Sequence, residues 1–460
     1  MNLRWIDFLA CLSFAIALFG HLAPTQAAPP NIIVIMADDL GWRDLHCYGN
    51  QAIDTPCLDQ FAGEGMRFTD AYAASPVCSP TRSAMMTGMA PARLRITNHA
   101  PGHPDGYSLE NSDLQEAQSV RHLTLDYTTI AERLKTAGYD TAHLGKWHLS
   151  YVARNNQSGI KEADLRPQHQ GFDINIGGTG RGGPPTYFSP YRNDALTDGP
   201  EGEYLPERLA DEAIQYVQAH KDKPFFLSWW PFSVHYPLEA PNKLIEKYRQ
   251  RKAINDPAYA AMIEGMDTAI GRFLTALDES GLRDNTLVIF KSDNGGYNGN
   301  NRPLRGFKGM MFEGGIRIPW MVRWPGVIEP GTTCRQPIIS TDCFPTLLEV
   351  AGLKQQPDAI CDGLSLLPLW KQTDGFERDA IHFHYPNYAF HKRNRLASAI
   401  RSGDFKLIRR YDDESLELYD LKNDIGERKN LASSQPQLAK ELNERLGKWL
   451  VDVDAALPQR

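Results

Sequence analysis

Four short, mostly apolar runs lead directly into polar clusters: residues 31–36 (NIIVIM), 139–144 (YDTAHL), 225–230 (FFLSWW) and 286–290 (TLVIF). Apolar runs this short and this continuous suit strands covered on both faces, which is the situation of a parallel or mostly parallel sheet. Helical patterns fall between them. Residues 129–137 begin with Thr129 and Glu132 in capping-box spacing and end at Gly138. Residues 260–277 repeat apolar positions at helical spacing before Gly281. Strand and helix in alternation predict an α/β fold with a large, mostly parallel sheet flanked by helices. In such folds ligands bind beyond the carboxyl ends of the strands, where all four polar clusters lie.

The pattern changes after about residue 374. Residues 397–408 and 417–421 alternate like antiparallel strands, and a helix follows Pro436 with Leu438, Leu442, Leu446, Trp449 and Leu450 on one face. The expected organisation is a segment 1–27 removed on export, a catalytic domain over 28–373, and a smaller C-terminal subdomain over 374–460. No internal repeat is visible. Residues 177–202, rich in Gly and Pro, read as a surface loop near the cleft.

Residues 1–27 have the form of an export signal: Arg4, an apolar run over 8–19, and Thr25-Gln26-Ala27 as a small-residue exit. The run is too short to span a bilayer comfortably, so the expected location is periplasmic or extracellular, without stable membrane insertion. The net charge of −7 argues against nucleic acid as a partner. It also requires that any anionic substrate meet a local cationic pocket. Of seven cysteines, six lie beyond residue 27, and Cys334 with Cys343 is the nearest candidate pair.

Residues 78–88 (CSPTRSAMMTG) are the most informative stretch. Pro80 suits a first helical turn and Gly88 a helix end, which puts Cys78 at a helix N-terminus. On these grounds alone Cys78 reads either as a low-pKa thiolate or as a buried cysteine preceding a helix. Likewise Asp38-Asp39 reads as a carboxylate pair or a helix cap, and Asp293-Asn294-Gly295-Gly296 as a ligand set or a turn. The carboxylates and the amide suit a hard cation, and no His or Cys cluster competes for a softer one.

The Cys78-Ser79-Pro80-Thr81-Arg82 segment closely resembles the signature of the type I formylglycine-dependent sulfatases, an arylsulfatase-like family of the alkaline phosphatase superfamily. Residues 138–148 (GYDTAHLGKWH) resemble its second signature, and residues 308–319 (KGMMFEGGIRIP) with His235 extend the likeness. The resemblance covers residue 31 to about residue 431, with Thr81 where the family usually has Ser. It implies that Cys78 is oxidised by a formylglycine-generating enzyme to an aldehyde whose hydrate attacks sulfur. It further implies one calcium ion (Ca2+) held by Asp38, Asp39, Asp293, Asn294 and the modified Cys78. Arg82 would anchor the nucleophile, Lys146 would bind sulfate oxygens, and His148 would meet the formylglycine hydroxyl. His235 and Lys308 would serve the departing alcohol, and Arg317 a structural role. The implied substrate is a sulfated carbohydrate of galactose or N-acetylgalactosamine type.

Weaker expectations place Arg93, Arg95, His99, His103, His382 and His384 near the cleft, and offer Trp147 and Tyr236 as sugar-stacking or core residues. Two other readings stay open: a phosphatase or phosphodiesterase of the same superfamily, and an inactive glycan-binding protein with unmodified Cys78.

Overall fold

The computed structural model describes residues 28–460 except 111, 300, 357 and 358. The segment expected as an export signal, with Cys11, lies outside the described residues. An eight-stranded sheet dominates. Its order is 174–176, 140–145, 225–230, 31–37, 286–292, 320–323, 66–68, 332–334. The strands Asp140–Gly145, Phe225–Trp230, Asn31–Ala37 and Thr286–Ser292 are neighbours and mutually parallel. Only the pairings of Trp320–Arg323 with its two neighbours are antiparallel. All four sequence-predicted strands therefore end at one edge.

Alternation along Asn31–Ala37 divides the core. Ile33 and Ile35 join the apolar cluster under the helices Leu205–Ala219 and Pro257–Glu279. Ile32, Val34 and Met36 join the cluster on the other face, with the helices Cys78–Thr87, Ile130–Thr136 and Cys343–Val350. A two-residue period sends successive side chains to opposite faces, and both faces here are dry. Each such aliphatic side chain contributes about 1.5–3 kcal/mol on burial. The expected capping box is present: Thr129 accepts from the Glu132 amide, and Glu132 accepts from the Thr129 amide.

The C-terminal region forms a separate antiparallel meander of Ile381–Tyr385, Ala397–Ser402, Phe405–Arg410 and Leu416–Asp420. The run read as 397–408 is thus two strands joined by a tight turn at Gly403, whose φ is 56°. The helix Pro436–Asp452 lays Ala439, Leu442, Leu446 and Leu450 on Ile400, Leu407 and Leu418. Leu438 and Trp449 pack at the edge of that cluster. The opposite face of the meander packs against Tyr72, Val77, Ala84 and Ile316, so it braces the helix that begins at Cys78. Beneath it lies a buried charge cluster: Lys406 pairs with Glu313 at 3.0 Å and Glu427 at 2.8 Å, and Arg317 pairs with Glu313 at 2.6 Å. Arg317 also donates to the Tyr72 hydroxyl and the Thr69 carbonyl.

Candidate active site

Each of the four parallel strands delivers a functional side chain just past its carboxyl end. Asp38 and Asp39 follow residue 37, Lys146 follows residue 145, His235 lies five residues beyond Trp230, and Asp293 and Asn294 follow residue 292. Cys78 opens a ten-residue helix in which every residue is buried, and Gly88 closes it with φ 72°. The 308–319 segment supplies Lys308 from the far side of the cleft.

These parts converge. Cys78 Sγ lies 3.7 Å from Asp38 Oδ1 and 3.9 Å from Asp39 Oδ1. Ligand atoms of Asp38, Asp39, Cys78 and Asp293 all fall within 4.8 Å of one another. Three cations face the three carboxylates. Lys146 Nζ donates to both oxygens of Asp38 at 2.9 and 2.8 Å. Lys308 Nζ lies 2.7 Å from Asp39. Arg82 donates from Nε and Nη2 to Asp293, and from Nη1 to the Lys146 carbonyl at 2.8 Å. These side chains balance one another, three positive charges against three negative, so the net positive field that an anionic substrate needs would come only with a bound cation.

Burial is the largest single influence on Asp38, Asp39, Asp293, Cys78, Arg82 and Lys308. It raises Asp38 to about 8, with Asp293 and Asp39 adding to the rise and Lys146 opposing it. Burial also works against the Asp39 and Asp293 charges, but Lys308 and His235 hold Asp39 low, and Arg82 and Lys146 hold Asp293 low. Burial pushes the Cys78 thiol up to about 12, and nearby Asp293 and Asp38 reinforce this against Lys146 and Lys308. The low-pKa thiolate reading is therefore overturned. A helix N-terminus cannot offset full desolvation beside three carboxylates.

The two imidazoles differ in their hydrogen bonds. His148 Nε2 donates to the Ala100 carbonyl at 2.5 Å, while its buried Nδ1 has no partner among the described residues. Its backbone sits in the left-handed region, φ 59°, as does that of Asp39 at 60°. Such conformations cost about 1–2 kcal/mol in non-glycine residues and persist where the surroundings over-determine them. His235 Nδ1 donates to the Tyr236 carbonyl at 3.0 Å, which leaves Nε2 bare, 3.8 Å from Asp39. Burial, then Lys308 and Lys146, lower His235 to about 3, so its ring is neutral at pH 7. In Lys308 burial also opposes the charge, but Asp39, Cys78 and Asp38 hold the ammonium protonated.

The donor set fits a hard divalent cation on two observations. Three buried carboxylates crowd one point, and Asn294 Oδ1 is buried with no partner among the described residues while its Nδ2 donates to Asp39 at 2.8 Å. An amide oxygen left bare beside carboxylates is what calcium-type coordination uses.

A family model described as Sulfatase matches residues 30–353, and one described as N-sulphoglucosamine sulphohydrolase, C-terminal, matches residues 306–454. The chain belongs to the sulfatase family. It is a sulfuric ester hydrolase. A sulfatase from Formosa agariphila is 32% identical, covering 93% of this chain and 89% of that one. The mouse N-acetylgalactosamine-6-sulfatase is 30% identical, covering 86% of this chain and 75% of the relative. The crystal structure of Ps i-CgsB superposes with a TM-score of 0.77 at 28% identity, over 92% of this chain and 93% of that one. The same protein has been solved in complex with k-i-k-neocarrahexaose. The fold of this sulfatase is alkaline phosphatase-like.

Several of the weaker candidates are engaged with other partners. Arg93 pairs with Asp362 and Arg95 with Asp454, His103 pairs with Glu116, and His384 bonds Ser398 and the Ala456 carbonyl. His382 stacks on Trp449 under the C-terminal helix. Trp147 is core, stacked on Trp230 with no exposed surface. His99 does lie by the site, within electrostatic reach of Lys308 and Asp39. Tyr236, 47% exposed, forms a rim with Tyr297 and Phe390. All six described cysteines are free, so Cys334 and Cys343 are not joined. Cys343 starts a helix inside the core while Cys334 ends an edge strand.

Sequence reasoning placed the 177–202 loop near the cleft but missed what it does there. Gly182 and Gly183 run so close to the imidazoles that a Cβ would lie 2.9 Å from His148 Cε1 and 2.7 Å from His235 Nδ1. The Tyr187 hydroxyl donates to the carbonyls of Phe232 and His235, tying the loop to the histidine's own backbone. The paired glycines were the available signal.

Proposed function

We propose that this sulfatase is exported, uses formylglycine made from Cys78 together with one calcium ion, and removes sulfate from sulfated glycans of galactose or N-acetylgalactosamine type. The supporting observation is the convergence of Cys78 with Asp38, Asp39 and Asp293. The substrate class is supported by the mouse relative's name and by the carrahexaose bound to Ps i-CgsB. Residues 28–373 would form the catalytic domain and 374–460 a subdomain that braces its nucleophile helix.

Calcium, held by Asp38, Asp39, Asp293 and Asn294, would supply positive charge to the sulfate and nucleophile oxygens. The formylglycine hydrate would supply two hydroxyls on one carbon, one to attack sulfur and one whose proton loss lets sulfate leave by C–O cleavage. Cys78 Sγ marks where those oxygens would sit. Arg82 fixes Asp293 and the Lys146 backbone, and so sets the position of both. Lys146 and Lys308 neutralise sulfate oxygens. His148 Nδ1, the bare nitrogen of a buried ring, accepts the hydroxyl proton. The departing alkoxide needs a proton. Lys308, the charged partner, supplies it, while neutral His235, with its proton on Nδ1, offers Nε2 as an acceptor to the alcohol once it is protonated.

The inert thiol of unmodified Cys78 gives substance to the glycan-binding alternative, and one measurement separates the two. Mass spectrometry of the Cys78 peptide from active protein is expected to show the aldehyde, and Cys78→Ala to abolish sulfate release with the fold intact. A free thiol in active protein overturns the mechanism. The phosphatase reading is disfavoured by a donor set of Asp and Asn oxygens beside a cysteine. No helix among the described residues is long and apolar enough to cross a membrane. Sequencing of the mature N-terminus should begin at Ala28.

A further inference from the structure

The glycines that back His148 and His235 also line an open cavity of about 750 Å3, together with Pro101 and Tyr151. Pro101 follows Ala100, whose carbonyl receives His148 Nε2. The cavity is therefore continuous with the wall of the sulfate site, and its volume suits one or two sugar units.

Its charges are unevenly satisfied. Arg166 is spent on Glu162 at 2.6 Å and Asp194 at 2.8 Å, and Glu162 also accepts from Ser150 Oγ and the Gly180 amide. One arginine thus pairs with both lining carboxylates. Arg181 and Arg192 line the same cavity, and neither guanidinium has a carboxylate or hydrogen-bond partner among the described residues. Arg192 has φ 54°, a left-handed backbone held between Tyr191, whose amide donates to Asp198 at 2.6 Å, and Asn193, whose side chain donates to the Gly177 carbonyl at 2.9 Å. The loop thus fixes the backbone that carries Arg192, while the exposed guanidinium is left without a partner among the described residues. A guanidinium fork matches the oxygens of sulfate or carboxylate better than any neutral sugar.

We infer that Arg181 and Arg192 form a second anion subsite, which binds a further sulfate or carboxylate on the oligosaccharide whose ester is cleaved at Cys78. The preferred substrate is then a polyanionic oligosaccharide rather than a monosulfated sugar. This rests on the sulfated-glycan reading above.

The test uses mature, aldehyde-containing, calcium-loaded enzyme and free sulfate as readout. The probes are galactose 6-sulfate, N-acetylgalactosamine 6-sulfate, a sulfated galactan tetrasaccharide without carboxylates, and a uronate-containing sulfated galactosamine tetrasaccharide. In the Arg181→Gln/Arg192→Gln enzyme, the ratio of tetrasaccharide to monosaccharide kcat/KM should fall at least tenfold, through KM. The Arg181→Lys/Arg192→Lys enzyme should recover part of the loss, and the rise of KM with NaCl should be shallower in the Gln variant than in wild type. A fall confined to one tetrasaccharide identifies the anion recognised. An unchanged ratio for both, or cleavage of monosaccharides alone, overturns the subsite. Absence of sulfate release from every probe by the wild type overturns the glycan reading itself.

Discussion

Arg82 donates from Nε and Nη2 to a single carboxylate oxygen of Asp293, at 3.0 and 2.7 Å, with both side chains sealed from solvent. Removing one partner of such a pair strands a buried charge, which costs about 3–5 kcal/mol. Arg82→Met should therefore lower the unfolding free energy by that order and reduce sulfate release at least 100-fold. Arg82→Lys should restore some stability but little activity, because an ammonium cannot also hold the Lys146 carbonyl. Denaturant titration and sulfate assays read the two effects separately. Equal recovery of both by Lys would contradict the positioning role.

Asn294 Oδ1 offers a bare acceptor beside three carboxylates. Chelation should abolish activity, and calcium should restore it. Asn294→Ala should weaken calcium binding about tenfold or more by isothermal titration, whereas Asp293→Ala should weaken it further because Arg82 is left unpaired. Unaltered calcium affinity in both variants would place the ion elsewhere.

Gly183 leaves no room for a side chain against His235. Gly183→Ala forces either the loop or the ring to move, and displacements of about 1 Å near reacting atoms cost on the order of 100-fold in rate. The expected result is a large fall in kcat with a nearly unchanged melting temperature. A wild-type rate would show that the His235 ring is free to shift without consequence.

Lys406 is fully buried between Glu313 and Glu427, and joins the C-terminal meander to the segment carrying Lys308. Lys406→Met should destabilise the protein by about 3–5 kcal/mol. Adding Glu427→Gln should return part of that loss, since Glu313 keeps Arg317 as its partner while Glu427 is otherwise left without its cation. Hydrogen exchange should show the opening concentrated in residues 381–420. Uniform loosening across the large sheet would argue against a local bracing role.

The apolar runs at 31–36, 225–230 and 286–290 specified buried strands because their composition tolerates only a sheet covered on both faces. The segments around Cys78 and Lys146 pointed to the chemistry through their resemblance to the sulfatase signatures. Local sequence also held the capping box at Thr129 and the turn at Gly88. Long-range effects were not legible there. The Cys78 thiol stays protonated because burial, reinforced by Asp293 and Asp38 from distant segments, outweighs its helix, and His235 is neutral because of burial first and then Lys308 and Lys146, which arrive from other segments. Gly182 and Gly183 looked like ordinary loop residues until folding set them against two imidazoles and Arg181 beside an open cavity. Sequence fixes which groups a segment carries; the field and the free space around each group are sums over neighbours hundreds of residues away, and only the tertiary structure supplies them.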